Sequence, residues 1–195
     1  TGIVNYSNIG ALSNTGTISA AATGIWFGGS IGTLSNTGTI TATVDSGIKN
    51  TEGTVSILTN GGTISGTKNG VANDRGTIGA LINQVGGTIH GNQRGVSNTA
   101  STGTVAGKIG ALTNSGTISG TDAGIYNIGS IGTVTNQAGA TISSTTRGIS
   151  NEVSGTFVGS ITAINNSGTI TGSQHALYNT GSIGTLTNSG AIIGD

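Results

Sequence analysis

Ile31-Gly32-Thr33-Leu34-Ser35-Asn36-Thr37-Gly38-Thr39-Ile40 decides the fold, because the chain repeats this phrase from end to end. It returns as Ile-Gly-Ala-Leu-Thr-Asn-Ser-Gly-Thr-Ile at Ile109 to Ile118, and as Ile-Gly-Thr-Leu-Thr-Asn-Ser-Gly-Ala-Ile at Ile183 to Ile192. A second phrase, Gly-Ile/Val-x-Asn, follows, as at Gly47 to Asn50, Gly124 to Asn127 and Gly148 to Asn151. A period of roughly 22 residues means stacked units rather than one globular core.

Taking the Ile of Ile-Gly-x-Leu as the start, coils begin at Ile9, Ile31, Val55, Ile78, Ile109, Ile131, Ile161 and Ile183. Aliphatic stretches are short and separated by Gly, Asn and Ser, with no helix-length pattern. Each coil therefore reads as three short strands joined by turns. Leu12, Leu34, Leu58, Leu81, Leu112, Val134, Ile164 and Leu186 form one apolar column. Ile18, Ile40, Ile64, Ile89, Ile118, Ile142, Ile170 and Ile192 form the next, and Ile3, Ile25, Ile48, Val71, Val96, Ile125, Ile149 and Leu177 the third. A leucine-rich repeat needs a helical segment per unit, and here the intervening stretches are Gly, Thr and Ser. The expectation is an all-β, right-handed parallel β-helix of about eight coils of roughly 22 residues, one β-solenoid spanning residues 1–195.

Strand side chains alternate, so a residue two away from an inward aliphatic also points inward. That places Asn14, Asn36, Asn60, Asn83, Asn114, Asn136, Asn166 and Asn188 inside at one corner. Asn5, Asn50, Asn73, Asn98, Asn127, Asn151 and Asn179 fall inside at a second corner, where Phe27 interrupts the run. A single buried Asn is costly; a column of them hydrogen-bonds amide to amide. Their presence in every coil marks them as structural. The coils starting at Ile78 and Ile131 are longer than the rest. Each carries a two-residue excess, at Gln84-Val85 or Gln137-Ala138, and a longer loop, at 99–108 or 152–160. The two loops should leave the same corner, two coils apart.

Composition narrows the function. Aromatics are 3% of the chain, charged residues 6%, and net charge is zero, with Gly at 38 copies. No basic footprint for nucleic acid is present, and no apolar run inserts this segment into a membrane. With no Cys there is neither a disulfide framework nor a thiolate metal site, and no cofactor motif occurs. Among the acids, Asp45 and Asp122 share a column three coils apart, about 14 Å, whereas glycosidase pairs need roughly 5–9.5 Å. Asp122 and Arg147 sit in neighbouring coils and are expected to pair. His90 projects outward from a strand, His175 falls in a turn, and neither has a nucleophile in register. No catalytic site assembles.

Binding is more visible. Trp26, Tyr126 and Tyr178 share an outward column with Val4, Lys49, Ala72, Ser97 and Ser150. Aromatic faces on a rigid strand stack on sugars or a partner protein, so Trp26, Lys49, Tyr126 and Tyr178 are the candidate ligand-binding residues. Because they point outward, loss of Tyr126 and Tyr178 together is expected to spare the melting temperature. A second outward array, Thr39 and Thr41, Thr117 and Ser119, Thr169 and Thr171, suits ice binding, though His90 and Ile193 break it.

The iterated phrases Asn114 to Gly120 and Gly124 to Asn127, with their counterparts throughout, resemble the β-helical passenger domains of bacterial autotransporter adhesins of type V secretion. The resemblance implies a non-enzymatic adhesin or stalk at the bacterial cell surface, extracellular. Its partner would be a host or bacterial surface glycan or protein, or a second copy of itself. It also implies further coils at both ends, which agrees with the lack of Met at position 1. The alternative is a carbohydrate-processing β-helix whose catalytic residues lie outside this segment; release of reducing sugar separates the two. The ends, lacking a polar cap, should expose strand edges and associate end to end.

Overall fold

The computed structural model describes residues 1–100 and 105–195; residues 101–104, within the loop expected at 99–108, lie outside the described residues. The strands form a β-solenoid of three parallel sheets, each with eight strands. Sheet 1 comprises Ile3–Asn5, Ile25–Phe27, Ile48–Thr51, Asn69–Asp74, Arg94–Thr99, Ala123–Asn127, Arg147–Asn151 and His175–Asn179. Sheet 2 runs from Asn8–Asn14 to Ser182–Asn188 in seven-residue strands, and sheet 3 from Thr17–Ala20 to Ala191–Gly194 in four-residue strands. Each coil contributes one strand to each sheet, and like residues pair across coils, as in Ile78↔Ile109, Leu81↔Leu112 and Asn83↔Asn114.

The columns inferred from the repeat are the core. In one coil Ile109, Leu112, Ile118 and Ile125 are all 0% exposed. Burying an aliphatic side chain stabilises by roughly 1.5–3 kcal/mol, so four per coil supply the main favourable term without large aromatics. Among the described residues, only Phe27 brings a ring into this core cluster. Sheets 1 and 3 approach closely at a column of glycines. A Cβ on Gly124 would stand 2.8 Å from the Gly148 carbonyl oxygen and 2.8 Å from Ile142 Cγ2, so the close approach itself requires glycine there.

Departures from the basic coil are confined to corners. Successive Asn of the sheet 2 corner are 22 to 31 residues apart along the chain. The excess residues at Gln84-Val85 and Gln137-Ala138 are taken up by tight turns in which Gly86 and Gly139 have φ of 79° and 80°. At the sheet 1 to sheet 2 corner, Glu52 and Arg75 are single extra residues with φ of 70° and 61°. A left-handed non-glycine backbone costs about 1–2 kcal/mol. These two are joined by an Arg75 Nη1–Glu52 Oε1 ion pair of 2.6 Å. The longer loops leave this same corner. The one at 152–160 carries a small antiparallel hairpin, Val153–Ser154 against Phe157–Val158.

Candidate binding face and asparagine ladders

The asparagines of both corners point inward and form amide ladders, unbroken at the sheet 2 corner and running from Asn50 onward at the sheet 1 corner, where Asn5 is cut off by Phe27. At the sheet 2 corner Asn14 Nδ2 donates to Asn36 Oδ1, and the series continues through Asn60, Asn83, Asn114, Asn136 and Asn166 to Asn188 at 2.7–2.9 Å. At the sheet 1 corner the series runs from Asn50 through Asn73, Asn98, Asn127 and Asn151 to Asn179 at 2.7–2.8 Å. Each Nδ2 also caps turn carbonyls: Asn114 Nδ2 donates to Gly116 O and to Thr141 O of the next coil. These side chains therefore close the corners where the strand ladder stops. Phe27 breaks the second series with a visible cost. Asn50 Oδ1 is buried without a hydrogen-bond partner, because the coil preceding it offers a phenyl ring where an amide would donate.

The outward column of sheet 1 has the inferred register: Val4↔Trp26↔Lys49↔Ala72↔Ser97↔Tyr126↔Ser150↔Tyr178. Its packing differs from an array of free aromatic faces. The Arg94 guanidinium lies 3.6 Å from the centroid of Tyr126, and that of Arg147 4.2 Å from the centroid of Tyr178. Ser97 and Ser150 are buried in the same column, at 3% and 0% exposure. A two-coil module explains this. Arg94-Gly95-Val96-Ser97 in one coil is followed by a coil carrying Tyr126, and Arg147-Gly148-Ile149-Ser150 by one carrying Tyr178. Each small Ser leaves space into which its neighbours lean. Cation–π stacking contributes about 0.5–2 kcal/mol per pair, so removing both tyrosines should lower stability, contrary to the sequence expectation. The module was visible as the recurring Arg-Gly-x-Ser, whose significance shows only once the coils are stacked.

Ion pairs follow the same face. Asp122 Oδ2 receives Arg94 Nε at 3.0 Å, while Arg147 Nη1 reaches Glu152 Oε1 at 2.6 Å. This corrects the expected Asp122–Arg147 pair. Ala123, the residue after Asp122, is the register partner of both Arg94 and Arg147, and Glu152 occupies the second. Ser150 Oγ donates to the same Glu152 oxygen at 2.6 Å. Burial pushes the Tyr126 hydroxyl above its ordinary value of 10.0; Glu152 and Asp122 push the same way, and Arg94 and Arg147 oppose them. Lys49 is held by Asp45 at 2.8 Å. His175 begins a strand rather than lying in a turn, and its ring sits 5.4 Å from that of Tyr178. His90 does project from its strand, and its Nδ1 meets Ser119 Oγ at 2.9 Å.

The aromatics at the first coils are arranged otherwise. Tyr6 and Trp26 meet edge to face, with ring centroids 4.8 Å apart, and Tyr6 is 78% exposed. Trp26 lies four coils from Tyr126, about 19 Å by strand spacing, so the two cannot share one small ligand. Every charged side chain except Lys108 and Asp195 lies on sheet 1 or the corners flanking it. Among the described residues, no group of three or more His, Cys, Asp or Glu is placed to hold a metal ion, and no helix is long and apolar enough to cross a membrane. Compared with protein-family models, curated proteins and solved structures, the chain matches none.

Proposed function

We propose that this chain is a non-enzymatic shaft of a bacterial surface adhesin, and that the outer face of sheet 1 binds a surface glycan or protein. The observation carrying this reading is the chemical asymmetry of the rod. Trp26, Tyr126, Tyr178 and nearly all charges occupy one lateral face, while sheets 2 and 3 present mainly Gly, Ala, Ser and Thr outward. A shaft with no partner has no use for such segregation. The non-enzymatic part is supported by the acids. Asp45, Glu52, Asp74, Asp122 and Glu152 each have a basic group within 4.0 Å, so each is engaged in an ion pair along the face rather than set opposite a second carboxylate.

Within that face the Tyr6–Trp26 pair is the best platform, since no guanidinium covers it. Two variants test the reading together. Trp26→Ala with Tyr6→Ala should lose adhesion or glycan binding while the main melting transition persists, and Trp26→Phe should retain part of it. Tyr126→Ser with Tyr178→Ser should also weaken binding, with a lower melting temperature. Parent-like adhesion by both double variants sinks the assignment. Binding would then be sought in the Thr/Ser columns of sheet 3, whose in-register pairing, Thr39↔Thr63 and Thr41↔Ser65, also favours the ice-binding alternative; a thermal-hysteresis measurement decides that case.

A further inference from the structure

Three features recur together at a spacing of two coils. The coil that begins at Ile78 has the Gln84-Val85-Gly86-Gly87 turn, the Arg94-Gly95-Val96-Ser97 strand and a long loop after Asn98, and Tyr126 follows in the next coil. The coil that begins at Ile131 has Gln137-Ala138-Gly139-Ala140, Arg147-Gly148-Ile149-Ser150 and a long loop after Asn151, and Tyr178 follows in turn. The coils that begin at Ile9, Ile31 and Val55 close without any of the three, so stacking does not require them. Insertions gathered on one face of a solenoid commonly carry its recognition surface.

Each unit ends in the same side-chain group, built by different means. Arg94 stacks 3.6 Å from the Tyr126 centroid and its Nε meets Asp122 at 3.0 Å; Arg147 stacks 4.2 Å from the Tyr178 centroid and its Nη1 meets Glu152 at 2.6 Å. The acid comes from the turn before a strand in one unit and from the long loop in the other, yet both guanidiniums have one. These four charged side chains are 20–41% exposed, so their edges reach solvent. One cation against one anion leaves no excess charge to draw an ionised ligand. What remains is a planar donor edge beside an acceptor, with a phenol alongside, a set that hydrogen-bonds neighbouring hydroxyls of a sugar ring. Each stack is completed by the coil before the tyrosine, so neither depends on what adjoins the last coil.

We infer that these two units are equivalent subsites for one ligand, an uncharged, extended β-1,4-linked glycan lying along the rod on sheet 1. The inference rests on the lateral-face reading above and names its ligand. Tyr126 and Tyr178 are in register through Ser150, two coils apart, which is about 9.6 Å at strand spacing. An extended β-1,4-linked chain advances by nearly one coil spacing per sugar and turns each ring over relative to the last. It therefore shows the same edge at every second sugar, as the solenoid shows its Arg–Tyr stack at every second coil. Ser150 between the two tyrosines is small and buried, so a chain passes over it without obstruction. An α-1,4-linked chain coils and lacks this repeat. Two subsites on one ligand bind far more tightly than one, because the second contact is intramolecular.

Calorimetry with cello- and chito-oligosaccharides tests this, with maltotetraose as the α-linked control. Cellobiose or chitobiose should bind weakly, two per chain; the matching tetrasaccharide should bind one per chain and about tenfold or more tighter. Maltotetraose should show no such gain. Arg94→Ala or Arg147→Ala alone should reduce the disaccharide stoichiometry to one and remove the gain, with the melting transition retained. Asp122→Asn and Glu152→Gln, which keep the stacks, should weaken binding at one unit each. Tetrasaccharide affinity equal to that of the disaccharide, an equal gain for maltotetraose, or a gain that survives both arginine variants would overturn the inference. So would the absence of binding by either β-linked series. In that last case, adhesion lost with Trp26→Ala and Tyr6→Ala would still uphold the lateral face, so the two readings fail separately.

Discussion

Asn114 shows what a ladder residue does. Its Oδ1 accepts from Asn83 Nδ2, and its Nδ2 serves Asn136 Oδ1 and two carbonyls, all in a position that is 0% exposed. Asn114→Leu removes these partners at once and should cost about 2–4 kcal/mol in urea melts, since each orphaned buried group costs about 1–3 kcal/mol. Asn114→Asp should be at least as damaging at pH 7, because a carboxylate only accepts and here it faces other acceptors. Burial raises the folded-state value of that acid above its unfolded value near 3.9. Stability of the Asp variant should therefore recover as pH falls through the folded value, when the protonated acid regains one donor. A cost below about 0.5 kcal/mol for either substitution would mean that the amide is dispensable. The inward asparagines were readable from the sequence because alternation along a strand fixes which side a residue faces. The partner of Asp122 was not, because Arg94 and Arg147 are equally near to it along the stack and only the reach of Glu152 selects between them. For the same reason the capping of Tyr126 and Tyr178 was hidden: register is written in the repeat, but the direction in which a long side chain leans is not.

At the scale of elements, strands carry the repeat and corners absorb every irregularity. The hairpin at Val153–Val158 is one such addition. Removing residues 153–158 joins Glu152 directly to Gly159, giving Asn-Glu-Gly-Ser, a corner of the same length as Asn179-Thr180-Gly181-Ser182 one coil later. Glu152 N already donates to Asn127 O, and Ser160 N to Gly129 O, as the neighbouring corners do. The deletion should thus change stability by less than about 1 kcal/mol, a shorter loop and a lost hairpin nearly offsetting each other. Chemical denaturation of the deletion variant checks this; a loss of several kcal/mol would make the hairpin a part of the fold. The location of both long loops at one corner was legible as a broken period, because the flanking phrases kept their spacing. The hairpin within one of them was not, since a short segment such as Val153–Val158 carries no repeat to read against.

For the whole molecule, the stack behaves as a sum of coils and the junctions between them. Excising residues 9–30 joins Asn8 to Ile31 without a change of register, since Asn8 pairs with Ser30 and Ile9 with Ile31. That variant should stay folded, lose about 4.8 Å of length in solution scattering, and keep a cooperative melt. It also removes Phe27 and brings Asn5 beneath Asn50, so the open acceptor on Asn50 gains a donor. Excising residues 9–19 instead sets unlike strands against each other and should unravel the first coils. Equal damage from both excisions would contradict the coil-by-coil view. One property of the ladders reaches beyond stability. In a parallel sheet successive peptide groups point alternately up and down the stack, so their dipoles largely cancel. The side-chain amides do not alternate: in both series every Nδ2 donates toward the coil that follows. With each amide carrying about 3.5 D, the moments add along the axis, and a rod of zero net charge acquires an electrical head and tail.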